Sequence, residues 1–204
     1  MIILLSIIEF GCGSLMFSYW IGLMVGKRLE EVRDGNPGAF NLGHAAGFKM
    51  GVIGATFDFM KGYFPLVYFF EKEYIAGNAI AIVAIAPILG HAFSPFLKFR
   101  GGKALATTFG VWSAITRFKA SFMYAVILGI LKLGERVYNK GKPSIPEIDA
   151  VLDLMGFCIL GGLLFLSSIE SYLLLLWILN FAVLLYKRKK DMNVILKAKT
   201  VQKF

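Results

Sequence analysis

The feature that most constrains this chain is a succession of apolar segments separated by short polar connectors. A run of about 20 apolar residues can cross a bilayer, where the backbone must satisfy its own hydrogen bonds. Since 57% of the 204 residues are apolar, we predict an all-α integral membrane protein, one domain over residues 1–204, with a compact bundle of about seven transmembrane helices. The seven apolar segments are 1–26, 51–70, 75–96, 104–118, 121–134, 150–167 and 170–186.

Individual segments carry further indications. Segments 104–118 and 121–134 are short for a full crossing, so tilted, broken or partly re-entrant helices stay open for them. The first segment contains Glu9 and has no basic residue before it, so we expect it to remain as the first helix rather than to be cleaved as a signal peptide. Cys12 and Cys158 both lie in apolar segments, and no disulfide framework is predicted.

The basic residues predict an orientation in the membrane. With flanking charges assigned to the nearest connector, eighteen Lys and Arg residues fall on one side and three, Lys72, Arg117 and Lys119, on the other. Cytoplasmic connectors carry the excess of such residues, so the N-terminus is predicted outside and the C-terminus inside. The same rule accounts for the net charge of +9, and no nucleic-acid partner is predicted. We expect a multi-pass membrane protein whose basic connectors face the cytoplasm.

Two charged residues stand inside the second apolar segment. Asp58 and Lys61 are three residues apart and share one helical face. Each charge in a membrane segment costs about 2.5 to 3.5 kcal/mol on insertion scales, so both are candidates for function. The alternative is an ion pair that only fixes helix packing.

The stretch KFRGGKALATTFG, residues 98–110, has the composition of an anion site. Gly101 and Gly102 permit positive φ and close approach of the backbone to a ligand. The apolar residues that follow predict a helix whose free N–H groups favour phosphate. Lys103 adds a positive charge at the start of this helix, and Arg100 adds another that would attract an approaching anion. We therefore predict phosphate binding. A turn that binds lipid headgroups is the alternative.

The first connector and the histidines offer weaker indications. Asn36 and Asn41 lie in DGNPGAFN, where their amides could bind hydroxyl or phosphate oxygens or simply form turns. His44 and His91, with two distant cysteines, do not supply a zinc site. Neither histidine has Asp five residues later, so the H-x4-D acyltransferase signature is absent. No hydrolase elbow and no P-loop motif occurs either.

Four motifs in order resemble one family. They are Gly13-Ser14, DGNPGAFN (34–41), DFMKG (58–62) and GHAFSPFLKFRGGKALAT (90–107), and they are similar to motifs of the bacterial acyl-phosphate-dependent glycerol-3-phosphate acyltransferases (the PlsY type). The resemblance implies a seven-helix fold in the cell inner membrane, with substrate loops on the cytoplasmic side. It also implies transfer of an acyl group to the 1-hydroxyl of glycerol 3-phosphate, giving lysophosphatidic acid. It implies acyl phosphate and glycerol 3-phosphate as substrates, membrane lipid as surroundings, and no cofactor or metal.

The resemblance also implies roles for the residues on the donor side. Gly101, Gly102 and Lys103 would hold the phosphate of acyl phosphate, with Thr107 nearby and His91 shaping the loop. The leaving phosphate can itself accept the proton of the attacking hydroxyl, so a strong protein base is not required. The protein would supply positioning and stabilisation of the anion.

On the acceptor side, the resemblance implies that Asn36 and Asn41 help to bind glycerol 3-phosphate. Lys61 would lie close to the phosphates with Asp58 as its partner, and Arg33 is a candidate for the phosphate site or an ordinary solvated cation. The residues that we predict to act in catalysis are Lys103, His91, Lys61 and Asn36.

Several positions depart from the family pattern. Asp34, Phe40 and His44 replace Ser, Thr and Arg of the first motif, Ala104 replaces a Gly, and Asp191 stands where the last motif has Arg. Asp34 would repel a phosphate unless a cation compensates. A non-catalytic or acceptor-altered paralogue that binds acyl phosphate or lipid phosphate is therefore the alternative hypothesis. A transporter ranks last, because it would place charges in several spans.

Overall fold

The computed structural model describes residues 1–167 and 170–201, with side chains described as far as Ile195. Within these residues the structure contains α-helices and two short 3-10 turns, Leu29–Glu31 and Pro95–Leu97, and no strand. The all-α prediction is confirmed. The helices are α1 (Ile2–Ser14), α2 (Phe17–Met24), α3 (Ala39–Ala46), α4 (Phe48–Glu71), α5 (Ala79–Ala92), α6 (Leu105–Thr116), α7 (Lys119–Tyr138), α8 (Pro146–Leu166) and α9 (Ser171–Val201).

Each of the seven predicted apolar segments coincides with a helix, and the first contains two, α1 and α2. Four stretches of the described residues are long and apolar enough to cross a membrane: Ile2–Met24, Ala79–Leu97, Pro146–Leu166 and Ser171–Ile195. α6 has 12 residues and is about 18 Å long at 1.5 Å per residue, short of a hydrocarbon core of about 30 Å. Seven full crossings and the orientation therefore stay predictions.

The break between α1 and α2 serves the packing of the bundle. Leu15 has an extended backbone (φ −65°, ψ 119°), which exposes carbonyl groups to neighbouring helices. Ser94 Oγ donates to the Ser14 carbonyl oxygen at 2.7 Å, and Lys61 Nζ donates to the Leu15 carbonyl oxygen. The break thus ties the first span to α4 and to the end of α5.

Close helix approach builds the core. A Cβ on Gly13 would lie 2.1 Å from the Pro87 carbonyl oxygen, so α1 and α5 touch through their backbones. A Cβ on Gly110 would lie 2.2 Å from the Phe59 carbonyl oxygen, which brings α6 equally close to α4. Small residues allow such contacts between membrane helices. α5 and α6 form the centre of the bundle, since most residues of each are buried.

Candidate functional site

A cavity of about 550 Å³ lies where the first connector, the loop before α6 and the helices α3, α4, α8 and α9 meet. One part of its wall is polar and charged. The other is apolar and includes Phe48, Val52 and Ala55 of the α4 side and Leu105 and Phe109 of α6. The cavity can therefore take a ligand with an anionic head and an apolar chain. The sequence-predicted residues that line it are Arg33, Asn36, Asn41, Asp58, His91 and Lys103.

The loop from Lys98 to Ala104 reaches this cavity and is shaped by His91. Gly102 N–H donates to the His91 carbonyl oxygen at 3.0 Å. A Cβ on Gly101 would lie 2.0 Å from that oxygen, and a Cβ on Gly102 would lie 2.3 Å from His91 Nε2. The position of His91 agrees with the loop-shaping role that the resemblance implies.

Gly101 and Gly102 allow the loop to approach His91 closely, but neither has a positive φ. The expectation that these glycines adopt positive φ is therefore wrong. Positive φ occurs instead at Lys98 (51°), Phe99 (62°) and Ala104 (59°). Residues with a Cβ seldom adopt this left-handed region, so surrounding contacts must hold the loop in place.

Lys103 stands between two carboxylates at the cavity wall. Its Nζ lies 2.6 Å from Asp34 Oδ2 and 2.6 Å from Asp191 Oδ2. Lys103 is thus the cation that compensates Asp34, and the two family departures meet on one side chain. The sequence pattern gives no sign of this pairing, because residues 34, 103 and 191 are far apart along the chain.

Asp34 is held by several donors. Asn41 Nδ2 donates to its Oδ1 at 2.8 Å, and the Asn36 N–H does so at 3.3 Å. Burial raises the pKa of the Asp34 carboxyl, but the hydrogen bond and charge of Lys103, with these two donors, hold the pKa below its usual value. Asp34 is therefore ionised at neutral pH. The stability that its contacts contribute is lost only as the pH falls through that lowered pKa.

Arg33 and Asn41 make protein contacts at the mouth of the cavity. Arg33 NH2 lies 3.3 Å from Asp149 Oδ2 and donates to the Ser144 carbonyl oxygen at 3.0 Å. Its guanidinium carbon is 4.5 Å from the centre of the Phe40 ring, so Phe40, in place of the expected Thr, supports Arg33 by a cation–π contact. Asn41 Nδ2 also donates to the Val32 carbonyl oxygen at 2.8 Å, which orders the connector.

Asp58 and Lys61 form the predicted ion pair. Lys61 Nζ lies 2.8 Å from Asp58 Oδ1, and Ser18 Oγ donates to Asp58 Oδ2 at 2.5 Å. His91 Nδ1 is 3.8 Å from Asp58 Oδ1 and is buried without a hydrogen-bond partner among the described residues. Asp58 and His91 line the cavity, whereas Lys61 lies behind them. In this geometry Lys61 neutralises and positions the Asp58 carboxylate.

We expect Lys61→Met to destabilise the protein, because the Asp58 carboxylate would then be buried without its cation. The side chains are only 2% and 1% exposed, and breaking a buried pair costs about 3–5 kcal/mol. Thermal unfolding in detergent measures the loss. The double variant Asp58→Asn/Lys61→Met should recover most of it, and a double variant as unstable as Lys61→Met would refute charge pairing as the cause.

Lys61, Gly101 and Gly102 are not among the residues that line the cavity, and two further predicted residues, Arg100 and Thr107, do not reach it either. Arg100 is exposed and lines a separate recess with Tyr19 and Glu30. Thr107 is fully buried, and its Oγ1 donates to the Asp58 carbonyl oxygen at 3.0 Å, which ties α6 to α4. Arg100 is thus placed outside the site, and Thr107 beneath it.

Further charged residues, which the sequence pattern did not reveal to us, complete the polar wall. Arg188 is 1% exposed, its NH2 lies 2.7 Å from Asp153 Oδ2, and its NH1 donates to the Lys103 carbonyl oxygen at 3.3 Å. Lys132 Nζ lies 3.0 Å from Asp153 Oδ1 and 3.5 Å from Asp149 Oδ1. One signal was available: Asp153 is a carboxylate inside an apolar segment, as Asp58 is.

Comparison with known proteins agrees with this geometry. The family model described as "Glycerol-3-phosphate acyltransferase" matches residues 3–198. "Glycerol-3-phosphate acyltransferase 1" of Thermotoga maritima is 38% identical over 197 residues, covering 93% of this chain and 95% of that protein. The glycerol-3-phosphate acyltransferase of Aquifex aeolicus is 30% identical over 192 residues, covering 94% of each.

The fold also matches a solved structure. A crystal structure of PlsY (YgiH), an integral membrane glycerol 3-phosphate acyltransferase in its glycerol 3-phosphate form, superposes with a TM-score of 0.82 at 25% identity. The match covers 97% of this chain and 92% of that one. Its lysophosphatidic acid form gives a TM-score of 0.81 at 24% identity, which adds to the evidence for the fold.

Proposed function

Because the chain belongs to the glycerol-3-phosphate acyltransferase family, we propose that it transfers a fatty acyl group from acyl phosphate to the 1-hydroxyl of glycerol 3-phosphate. The product would be lysophosphatidic acid. The chain is an integral membrane acyltransferase of phospholipid synthesis, and the donor and the acceptor hydroxyl are the parts that we propose. The observation that carries the proposal is the cavity itself, where Lys103 and the start of α6 adjoin an apolar wall.

The donor would place its phosphate at the loop from Gly101 to Lys103. Residues Lys103 to Ala106 line the cavity, so the first turn of α6 offers N–H groups and the positive end of its dipole to an anion. The acyl chain would lie along the apolar wall beside Val52, Ala55 and Phe109. This arrangement would place the acyl carbonyl at the boundary between the polar and apolar parts.

The acceptor would lie against the cations on the opposite part of the polar wall. Arg33, Lys132 and Arg188 line the cavity, and each is also paired with Asp149 or Asp153. These carboxylates hold the cations in place and can accept hydrogen bonds from glycerol hydroxyls. Asn36 adds an amide at the same wall. Arg33 and Asn36 thus keep their predicted acceptor-side roles within this proposal, joined by Lys132 and Arg188.

The reaction needs no protein base. The acceptor hydroxyl oxygen attacks the acyl carbonyl carbon, and the bond between that carbon and the phosphate oxygen breaks. The leaving phosphate takes the hydroxyl proton, so charge and protons balance. Lys103 would stabilise the charge that develops on the leaving phosphate, which is the type of contribution that accelerates such reactions most. Asp58 and His91 would fix the loop that carries Lys103.

The location follows from the same residues. The basic connectors and the cavity lie at the same end of the bundle, because Arg33, Lys103, Lys132 and Arg188 all line the cavity. By the positive-inside rule this end faces the cytoplasm. We therefore place the active site on the cytoplasmic side of the inner membrane, where a polar acceptor is available.

One observation favours a second candidate, a paralogue with a changed acceptor or without turnover. Lys103 is already paired with Asp34 and Asp191, so a substrate phosphate must compete with two carboxylates for it. The transferase hypothesis holds that the substrates displace these two carboxylates from Lys103 or share the ammonium with them. The binding hypothesis holds that the two ion pairs prevent turnover.

Phosphate release from palmitoyl phosphate decides between them. With the protein in lipid vesicles, we expect release at least about tenfold faster when glycerol 3-phosphate is present, because the acceptor supplies the attacking hydroxyl. Palmitoyl thioester in place of palmitoyl phosphate should give no transfer. A rate of phosphate release that does not depend on glycerol 3-phosphate, or no release although palmitoyl phosphate is bound, would favour the second candidate.

A further inference from the structure

One turn of α9 contacts the loop from Lys98 to Ala104, which we call the phosphate loop. Lys187 Nζ donates to the Ala92 carbonyl oxygen and to the Gly101 carbonyl oxygen, both at 2.8 Å. In the same turn, Arg188 donates to the Lys103 carbonyl oxygen and Asp191 holds the Lys103 ammonium. The loop is therefore held at its backbone and at its functional side chain by one helical segment.

Lys187 adds a second link between two segments that the hydrogen bond from Gly102 N–H to the His91 carbonyl oxygen already connects. Ala92 is the last residue of α5, and carbonyls in the last turn of a helix have no intrahelical donor. Gly101 begins the Gly-Gly-Lys stretch on the far side of a loop that contains left-handed Lys98 and Phe99. A single ammonium that bonds both carbonyls therefore reinforces the contact between the end of α5 and the phosphate loop.

The neighbours of Lys187 show that this contact is specific to its position. Lys187 is partly buried, and its Nζ lies 5.4 Å from the centre of the Phe93 ring. Lys189 and Lys190 belong to the same basic run but are exposed. A cluster that acted only by charge at the membrane surface would not distinguish these lysines.

We infer that Lys187 is a positioning residue for the donor phosphate: it holds the loop so that the Lys103 ammonium and the first turn of α6 face acyl phosphate together. This inference rests on the proposed function and adds to it a residue outside the cavity. It predicts that the loss of Lys187 weakens use of the donor more than use of the acceptor.

The test compares Lys187→Met with Lys190→Met, which removes the same charge from an exposed position three residues away. For Lys187→Met we expect kcat/KM for palmitoyl phosphate to fall about 30- to 100-fold, as misplacement of a catalytic group by about 1 Å does. The KM for glycerol 3-phosphate should change by less than about threefold, because this variant removes no acceptor contact. Lys190→Met should match wild type in both.

Lys187→Arg separates positioning from folding. A guanidinium can donate to both carbonyls, so this variant should regain at least about tenfold of the lost kcat/KM. Thermal unfolding in detergent identifies a variant that simply fails to fold. The inference is overturned if folded Lys187→Met behaves as Lys190→Met does, or if donor and acceptor parameters fall equally. Absence of transfer in the wild type would instead overturn the proposed function.

Discussion

Lys103→Met is expected to lower kcat/KM for acyl phosphate about 10²- to 10³-fold, the loss typical when one donor to a developing anion is removed. Methionine keeps the length of the apolar stem and removes only the ammonium. The ammonium is the charged group that the phosphate loop presents at the cavity wall. Its removal also leaves Asp34 and Asp191 without the cation between them, which adds repulsion toward a phosphate.

Two controls separate these effects. Lys98→Met removes a cation from the same loop at an exposed position outside the cavity, so it should retain nearly full activity. The double variant Asp34→Asn/Lys103→Met removes one of the repelling carboxylates. If the ammonium itself acts on the substrate, this double variant stays inactive. Recovery of activity in it would show that Lys103 serves only to neutralise Asp34.

Gly102→Ala is expected to cost about 100-fold in kcat/KM, because the loop could no longer hold Lys103 where it now stands. The added Cβ would lie 2.3 Å from His91 Nε2. His91 is buried and its ring can move only toward the cavity that it lines, where it would occupy space needed by the substrate. Otherwise the loop must shift, and Lys103 shifts with it. Activity assays with thermal unfolding in detergent measure both the loss and any change in stability.

Gly129→Ala is the matched control for this change. Gly129 lies in α7, and a Cβ there would meet nothing within 4 Å. Alanine is favoured over glycine inside a helix, so this variant should be as active as wild type and no less stable. Retention of full activity in Gly102→Ala would mean that the seating of the loop against His91 is not required for transfer.

Local patterns were enough to predict the long helices and the loop of the site, but not the short helix α3 in the first connector. Hydropathy marked every segment that forms a long helix, since a backbone in lipid has no alternative to its own hydrogen bonds. The free-energy cost of a charge in an apolar segment indicated Asp58 and Lys61. The glycines and the lysine of Gly101 to Lys103 indicated an anion-binding loop. The division of the first segment into α1 and α2 had no comparable signal, because Leu15 and Met16 are ordinary apolar residues.

The charge pairs of the polar wall could not be predicted in the same way. Three of these pairs join residues that are distant in sequence, and no local pattern specifies such partners. They are Lys103 with Asp34, Lys103 with Asp191, and Arg188 with Asp153. The end of α9 was also misplaced by the hydropathy pattern, which stops at residue 186, whereas the helix continues to Val201. Residues 187–191 therefore fell outside the predicted segment, although Lys187, Arg188 and Asp191 contact the phosphate loop.

The pairing of every cation on the polar wall bears on how substrates bind. Arg33, Lys103, Lys132 and Arg188 each contact at least one carboxylate. These pairs keep the cations in place in a partly buried cavity, where unpaired charges would be costly. Substrate phosphates would then exchange one anionic partner for another and would not meet free cations. Binding of a substrate phosphate therefore depends on its displacing these carboxylates or sharing the cations with them.

Mass spectrometry of the products formed from palmitoyl phosphate and glycerol 3-phosphate tests the central claim most directly. With the wild-type protein in lipid vesicles, we predict palmitoyl lysophosphatidic acid and inorganic phosphate in equal amounts, and at least about a hundredfold less of each from the Lys103→Met protein. Phosphate without lysophosphatidic acid, or equal product formation by the wild type and Lys103→Met, would contradict the assignment of this cavity as an acyltransferase site that uses acyl phosphate.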